Sequence, residues 1–244
     1  MQGNNTNIQI PPVKLLEENI LFEDNHIIII NKLPSQIVQG DKTGDRPLSD
    51  LVKDYIKVKY NKAGEVFLGV VHRLDRPVSG AVIFARTSKS LTRLNALIKN
   101  REINKTYWAV VKNKPPKDND TLVNYLRRDE ARNKSFVTGQ KTNNAQMASL
   151  SYKLIGSSDN YYLLEIDLQT GRHHQIRAQL AKIGCPIKGD LKYGYPRSNS
   201  DGSIHLHARK LNFIHPVTLM PLTIIARTPI DPVWNYFDQN FNSF

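Results

Sequence analysis

Three segments hold residue types whose spacing could do chemistry. The first is Val70–Gly80, reading VVHRLDRPVSG. An apolar run leads into His72, Arg73, Leu74, Asp75 and Arg76, and Pro77 then ends regular structure. Asp75 thus stands at a strand end between two guanidinium groups, which favour the ionised form of a carboxylate. That suits a nucleophile or base better than a general acid. An Asp–Arg ion pair in a turn would use the same residues, and the segment alone leaves both readings open. The second is Leu168–Gly194, LQTGRHHQIRAQLAKIGCPIKGDLKYG. Here Thr170 and Gly171 open a helix predicted over Arg172–Ile183 and closed by Gly184. Its first turns carry Arg172, His173, His174, Gln175 and Arg177, and a helix N-terminus bearing arginines is a site for phosphate or carboxylate. With Ile176 and Leu180 facing the core, Arg177 lies beside that seam and can reach a cleft. A solvated basic face fits equally well. The third is Lys105–Val111, KTYWAVV. Period two puts Tyr107 on a face with Ala109 and Val111, as a core side chain or as a platform on which a base stacks.

These segments need elements to hold them. Ile27–Ile30, four isoleucines, reads as a buried strand. Pro47 starts a helix with Leu48, Leu51, Val52, Tyr55 and Ile56 on one face. Strands at Val66–Val71 and Ala81–Ala85 flank Asp75, and Ser88 caps a helix whose apolar side is Leu91, Leu94, Leu97 and Ile98. Strands follow at Ile103–Val111, Met147–Ile155 and Tyr161–Leu168, the last two cleanly alternating. Leu206–Ile214 and Leu222–Arg227 form a hairpin around HPVTLMP. Lys114–Asp120 and Pro196–Ser203 are the expected mobile segments. Strands come in runs with few helices between them, so the fold class is α+β, a largely antiparallel mixed sheet flanked by helices. Neither a linker nor an internal repeat is evident. Residues 1–19 read as an N-terminal extension and 20–244 as one domain.

The 244 residues carry 34 Lys and Arg against 22 Asp and Glu, a formal charge of +12. Residues 86–117 hold nine bases and one acid, and residues 169–210 hold eight bases and two acids, while residues 1–30 are net acidic. Two such blocks favour a nucleic-acid surface over a merely solvated face. The single cysteine, Cys185, excludes an internal disulfide and a multi-cysteine zinc site and fits a reducing compartment. Without an apolar stretch of about 18 residues or a signal-like N-terminus, the chain is expected to be soluble and cytoplasmic. A histidine metal site built from His72, His173, His174, His205 and His207 is disfavoured, because zinc takes His together with Cys or carboxylate. A glycosidase needs two carboxylates flanking the bond, and Glu165 and Asp167 sit in no comparable motif.

Taken together, HRLDRPVSG, KTYWAVV and TGRHHQIRAQLAKIGCPIKGDLKYG resemble the signature segments of the RluA family of pseudouridine synthases. ILFEDNHIIIINK is similar to the family's opening motif and IHLHARKLNFIHP to its closing one, so the likeness runs from about Ile20 to Arg227. The resemblance implies a pseudouridine synthase-like catalytic domain with a central cleft. It implies isomerisation of uridine in ribosomal or transfer RNA after base flipping, with no cofactor or metal required. It makes Asp75 the catalytic residue, Arg73 the arginine that helps displace the flipped nucleotide and Tyr107 the residue packed on the target base. Arg177 then pairs with the catalytic carboxylate, with Ile176 beside it in the pocket. Two departures stand out: NKLPSQIVQG has its proline one place late, and Val78 replaces the commoner threonine. Only about 19 residues precede the first motif, so the N-terminal RNA-binding module of many relatives is expected to be absent, leaving RNA to the domain's own basic surfaces. A monomer is expected, and a non-catalytic RNA-binding protein on the same scaffold is the rival reading.

Overall fold

Four consecutive isoleucines can all be buried only if both faces of their strand are covered. That is where Ile27–Ile30 sit in the computed structural model, which describes residues 17–139 and 142–241. The expected N-terminal extension falls, through residue 16, outside the described residues. The strands are β1 (Ile20–Glu23), β2 (Ile27–Lys32), β3 (Gly69–Val70), β4 (Ser79–Ala85), β5 (Asn104–Val111) and β6 (Asn119–Asp129). Then come β7 (Lys134–Thr138), β8 (Ala145–Ser157), β9 (Tyr162–Leu168), β10 (Leu206–Ile214) and β11 (Pro221–Ile225). The helices are α1 (Leu48–Lys59), α2 (Ser88–Lys99), α3 (Gln175–Lys182) and α4 (Pro232–Phe241).

The strands form one sheet in the order β1-β2-β4-β10-β5-β9-β8-β6-β7, with β11 on β10 and β3 on β4. Every named pairing is antiparallel except β4 with β10. This is the mixed sheet expected of the sequence. On one face Ile28, Ile30, Phe84, Tyr107, Ala109 and Leu164 meet α1 and α3 through Val52, Ile56, Ile176 and Leu180. On the other, Ile27, Ile29 and Ile83 pack with Leu94 of α2, and Trp108, Val110 and Leu163 pack with Trp234 and Phe237 of α4.

Several boundaries differ from the sequence reading. The predicted helix over Arg172–Ile183 begins only at Gln175, because His174 adopts a left-handed φ of 52° and Gln175 Oε1 accepts from the Arg172 N–H instead. Thr87 rather than Ser88 caps α2, in a box with Ser90. The expected strand over Val66–Val71 pairs only at Gly69 and Val70. A long hairpin, β6 with β7, starts inside the segment expected to be mobile.

The parallel junction fixes the loop that carries Asp75. Ser79 and Gly80 of β4 sit opposite His207 and Ala208 of β10. A Cβ on Gly80, whose φ is +116°, would lie 2.4 Å from the Ala208 carbonyl oxygen, so only glycine lets the strands approach.

Candidate active site

The β3–β4 loop presents Asp75. Its turn is closed by the Val78 N–H donating to the Asp75 carbonyl at 3.0 Å. The His72 Nε2 accepts the Ile83 N–H at 3.1 Å, and burial pushes its pKa down to about 3, leaving a neutral ring. From below, the buried Lys32 ammonium donates to the carbonyls of Leu33, Gln36 and Arg76 at 2.9, 2.8 and 3.1 Å. Burial lowers its pKa to about 7 against the opposing pull of Asp75.

The guanidinium that meets Asp75 is not one of its sequence neighbours. Arg76 turns away to Asp45, 2.5 Å distant, and to Thr43, and Arg73 is exposed at the mouth of a cleft. Arg177, 102 residues downstream in the first turn of α3, donates from Nη1 to Asp75 Oδ2 at 3.0 Å. Its Nε and Nη2 reach both oxygens of Asp190 at 2.7 and 2.9 Å. A planar fork can serve two carboxylates at once; a lysine could not. Burial opposes the charge on Arg177, but Asp190 and then Asp75 more than offset it and raise its pKa. His174 Nε2 lies 3.5 Å from the same Asp75 oxygen.

Asp75 stands where two spaces join. The larger is a cleft of about 700 Å³ whose walls include the bases Arg73, Lys99, Arg101, Lys105, Arg128 and Arg172. The smaller, about 100 Å³, is walled by Leu74, Val78, Ile176, Arg177 and Leu206. Asp75 and Tyr107 line both. Tyr107 points from β5 into the face shared with Ala109 and Val111, as its period-two position requires. Burial first, and Asp75 second, raise the pKa of its phenol, which stays protonated. Asp75, Tyr107, Ile176 and Arg177 are therefore brought together, with Arg73 at the rim.

Sequence reasoning missed Asp190, Lys32 and Arg128. The signal available for Asp190 was a lone acid at the turn KGD within a basic block; its need for a partner shows only in its burial, at 1% exposure. It assigned no role to His174. Of the two basic blocks, only Lys99, Arg101, Lys105, Arg172 and Arg177 line the cleft or chamber. Arg86 is instead tied to Glu23 and Arg93 to the Pro216 carbonyl. His173 and His174, placed by the sequence reading within the helix, both precede it, and their rings stack at 3.8 Å. Among the described residues, no three His, Cys, Asp or Glu side chains converge as metal ligands, and no helix is long and apolar enough to cross a membrane.

A small pocket joined to a basic cleft, with a carboxylate held by a buried arginine at the junction, fits an enzyme that acts on a nucleic acid. Residues 26–182 match the family model described as RNA pseudouridylate synthase, and the chain belongs to that family. It is an RNA pseudouridine synthase, an isomerase. The uncharacterized RNA pseudouridine synthase YhcT of Bacillus subtilis is 32% identical over 219 residues, covering 88% of this chain and 70% of that protein. A tRNA pseudouridine synthase C of Vibrio cholerae is 28% identical over 233 residues, covering 88% and 92%. Other relatives are named ribosomal large subunit pseudouridine synthases C and D. The solved structure of human RNA pseudouridylate synthase domain containing 4 has the same fold, with a TM-score of 0.76, 24% identity and coverage of 94% and 95%.

Proposed function

We propose that this isomerase acts on uridines of large-subunit ribosomal RNA, transfer RNA or both, with Asp75 as the one carboxylate that touches the reacting nucleotide. The observation that supports this is the position of Asp75 at the junction of cleft and chamber, 3.0 Å from a buried arginine. The relatives' names divide between the two RNAs. RNA lies along the cleft, its phosphates against Arg73, Lys99, Arg101, Lys105, Arg128 and Arg172, contacts that position without specifying. The target uridine leaves its stack and enters the chamber, where Tyr107 packs on the base and Ile176 forms the apolar wall. Arg73, at the mouth, helps displace the nucleotide. The Asp75 carboxylate then acts on it as nucleophile or base while Arg177 holds the carboxylate in place.

The reaction exchanges a carbon–nitrogen glycosidic bond for a carbon–carbon one. A proton leaves the carbon and one is gained at nitrogen, so no net redox change occurs. Residues 20–244 act as a single catalytic domain, monomeric and cytoplasmic, with the basic cleft holding the RNA. Incubating the purified protein with ribosomal RNA and transfer RNA lacking the modification, then mapping pseudouridine, tests this. Discrete new sites in one or both are expected; none in either would overturn the assignment.

A further inference from the structure

Arg177 is not alone in addressing Asp75. Arg177 Nη1 and His174 Nε2 approach the same oxygen, Oδ2, at 3.0 and 3.5 Å, and among the described residues no hydrogen bond reaches Oδ1. The longer distance exceeds that of a formed hydrogen bond. Catalytic contacts are often long in an empty site and tighten around substrate.

The imidazole is held from every other side. Its residue sits at φ 52°, a left-handed conformation uncommon for non-glycine residues. The His173 ring stacks on it at 3.8 Å, and Ser135 Oγ of β7 donates to the His173 carbonyl at 2.7 Å. His174 Nδ1 lies 3.0 Å from the hydroxyl of Tyr193, which in turn accepts the Ser135 N–H at 2.8 Å. Burial first, then the positive charge of Arg177, keeps the ring neutral, with a pKa pushed down to about 2. A neutral imidazole has one N–H to place. On Nδ1 it would leave the Nε2 lone pair facing a carboxylate oxygen, and the Tyr193 hydroxyl would turn to the Ser135 carbonyl, 3.2 Å away. On Nε2 it points at Asp75, and Tyr193 donates to Nδ1. The donors then run in one direction, from the Ser135 N–H through Tyr193 and His174 toward Asp75 Oδ2, 3.5 Å away.

We propose that His174, set in the Nε2–H tautomer by Tyr193, is a positioning residue that clamps Asp75 Oδ2 opposite Arg177 and leaves Oδ1 as the oxygen offered to the uridine. The inference rests on Asp75 being the reacting carboxylate. It also joins the β6–β7 hairpin, which carries Arg128 at the cleft, to the catalytic group through Ser135.

Two measurements test it. In protein labelled with ¹⁵N-histidine, the His174 resonances are expected to show a protonated, pyrrole-type Nε2 and a pyridine-type Nδ1. The reverse tautomer would overturn the proposal whatever the variants do. In single-turnover assays His174→Leu and Tyr193→Phe are expected to slow pseudouridine formation about 10- to 100-fold with RNA affinity unchanged, the cost of a misplaced carboxylate. His174→Gln, whose amide N–H replaces the Nε2–H, is expected to recover most of that rate. Equal rates for the Leu and Gln variants, both folded by thermal melting, or a loss confined to affinity, would overturn the proposal. Full activity in Asp75→Ala would instead overturn the reading on which it rests.

Discussion

A carboxylate that acts on a bound nucleotide has to be reachable and aimed, and in this protein the aiming is done by residues far from it in sequence. Arg177 stands between Asp75 and Asp190, with the Asp190 side chain 1% exposed and its own 5% exposed. A buried ion pair of this kind adds little net stability, but removing one partner strands the other. Asp190→Asn is therefore expected to lower the urea-unfolding stability by about 3–5 kcal/mol. It should also reduce turnover, because the guanidinium loses the bidentate contact that fixes its plane. An unfolding midpoint equal to the parent's would show that Asp190 does not hold Arg177. Lys32 works on the same group from the backbone side, since one of its three carbonyl partners belongs to Arg76, the residue after Asp75. The sequence displayed Asp75 because HRLD is local. Its partners lie about a hundred residues away, where no spacing rule connects them: Arg177 was paired with it only through the family resemblance, and His174, with Asp190 behind Arg177, was not.

Elements whose sequence repeats with their geometry were legible; those built from exceptions were not. β8 and β9 alternate, so Ala148, Leu150 and Tyr152, and Leu164 and Ile166, are buried where period two puts them. The hairpin of β10 and β11 followed from its two apolar runs and the turn between them. β6 and β7 were missed because their faces carry Asn, Thr, Ser and Arg, the composition of a loop. α4 was missed because it is short and its buried side, Trp234 and Phe237, becomes meaningful only against Trp108 on a strand distant in sequence. The late start of α3 depends on a left-handed histidine that no propensity favours. The β4–β10 junction is equally invisible, although the SG following the Asp75 loop marked its glycine. Gly80→Ala is expected to destabilise the fold by about 2–4 kcal/mol, since the added Cβ meets backbone that cannot rotate away. A stability within error of the parent's would mean that β4 and β10 are not so close.

Over the whole molecule, the charge of +12 is read best from the cleft rather than from the chain. Six bases line it, and two of them, Arg73 and Arg128, belong to neither basic block of the sequence. If about six phosphates are neutralised there, the affinity for single-stranded RNA should fall about two to three orders of magnitude between 50 and 200 mM salt. A flat response would remove the cleft as the RNA-binding face. Binding and chemistry meet at one atom group, and they can be separated there. The decisive measurement pairs pseudouridine formation with RNA affinity in the parent and in Asp75→Asn, an almost isosteric change that keeps the shape of the chamber. The account predicts that modification disappears in the variant while RNA is bound about as tightly. Modification at the parental rate by Asp75→Asn would contradict it outright.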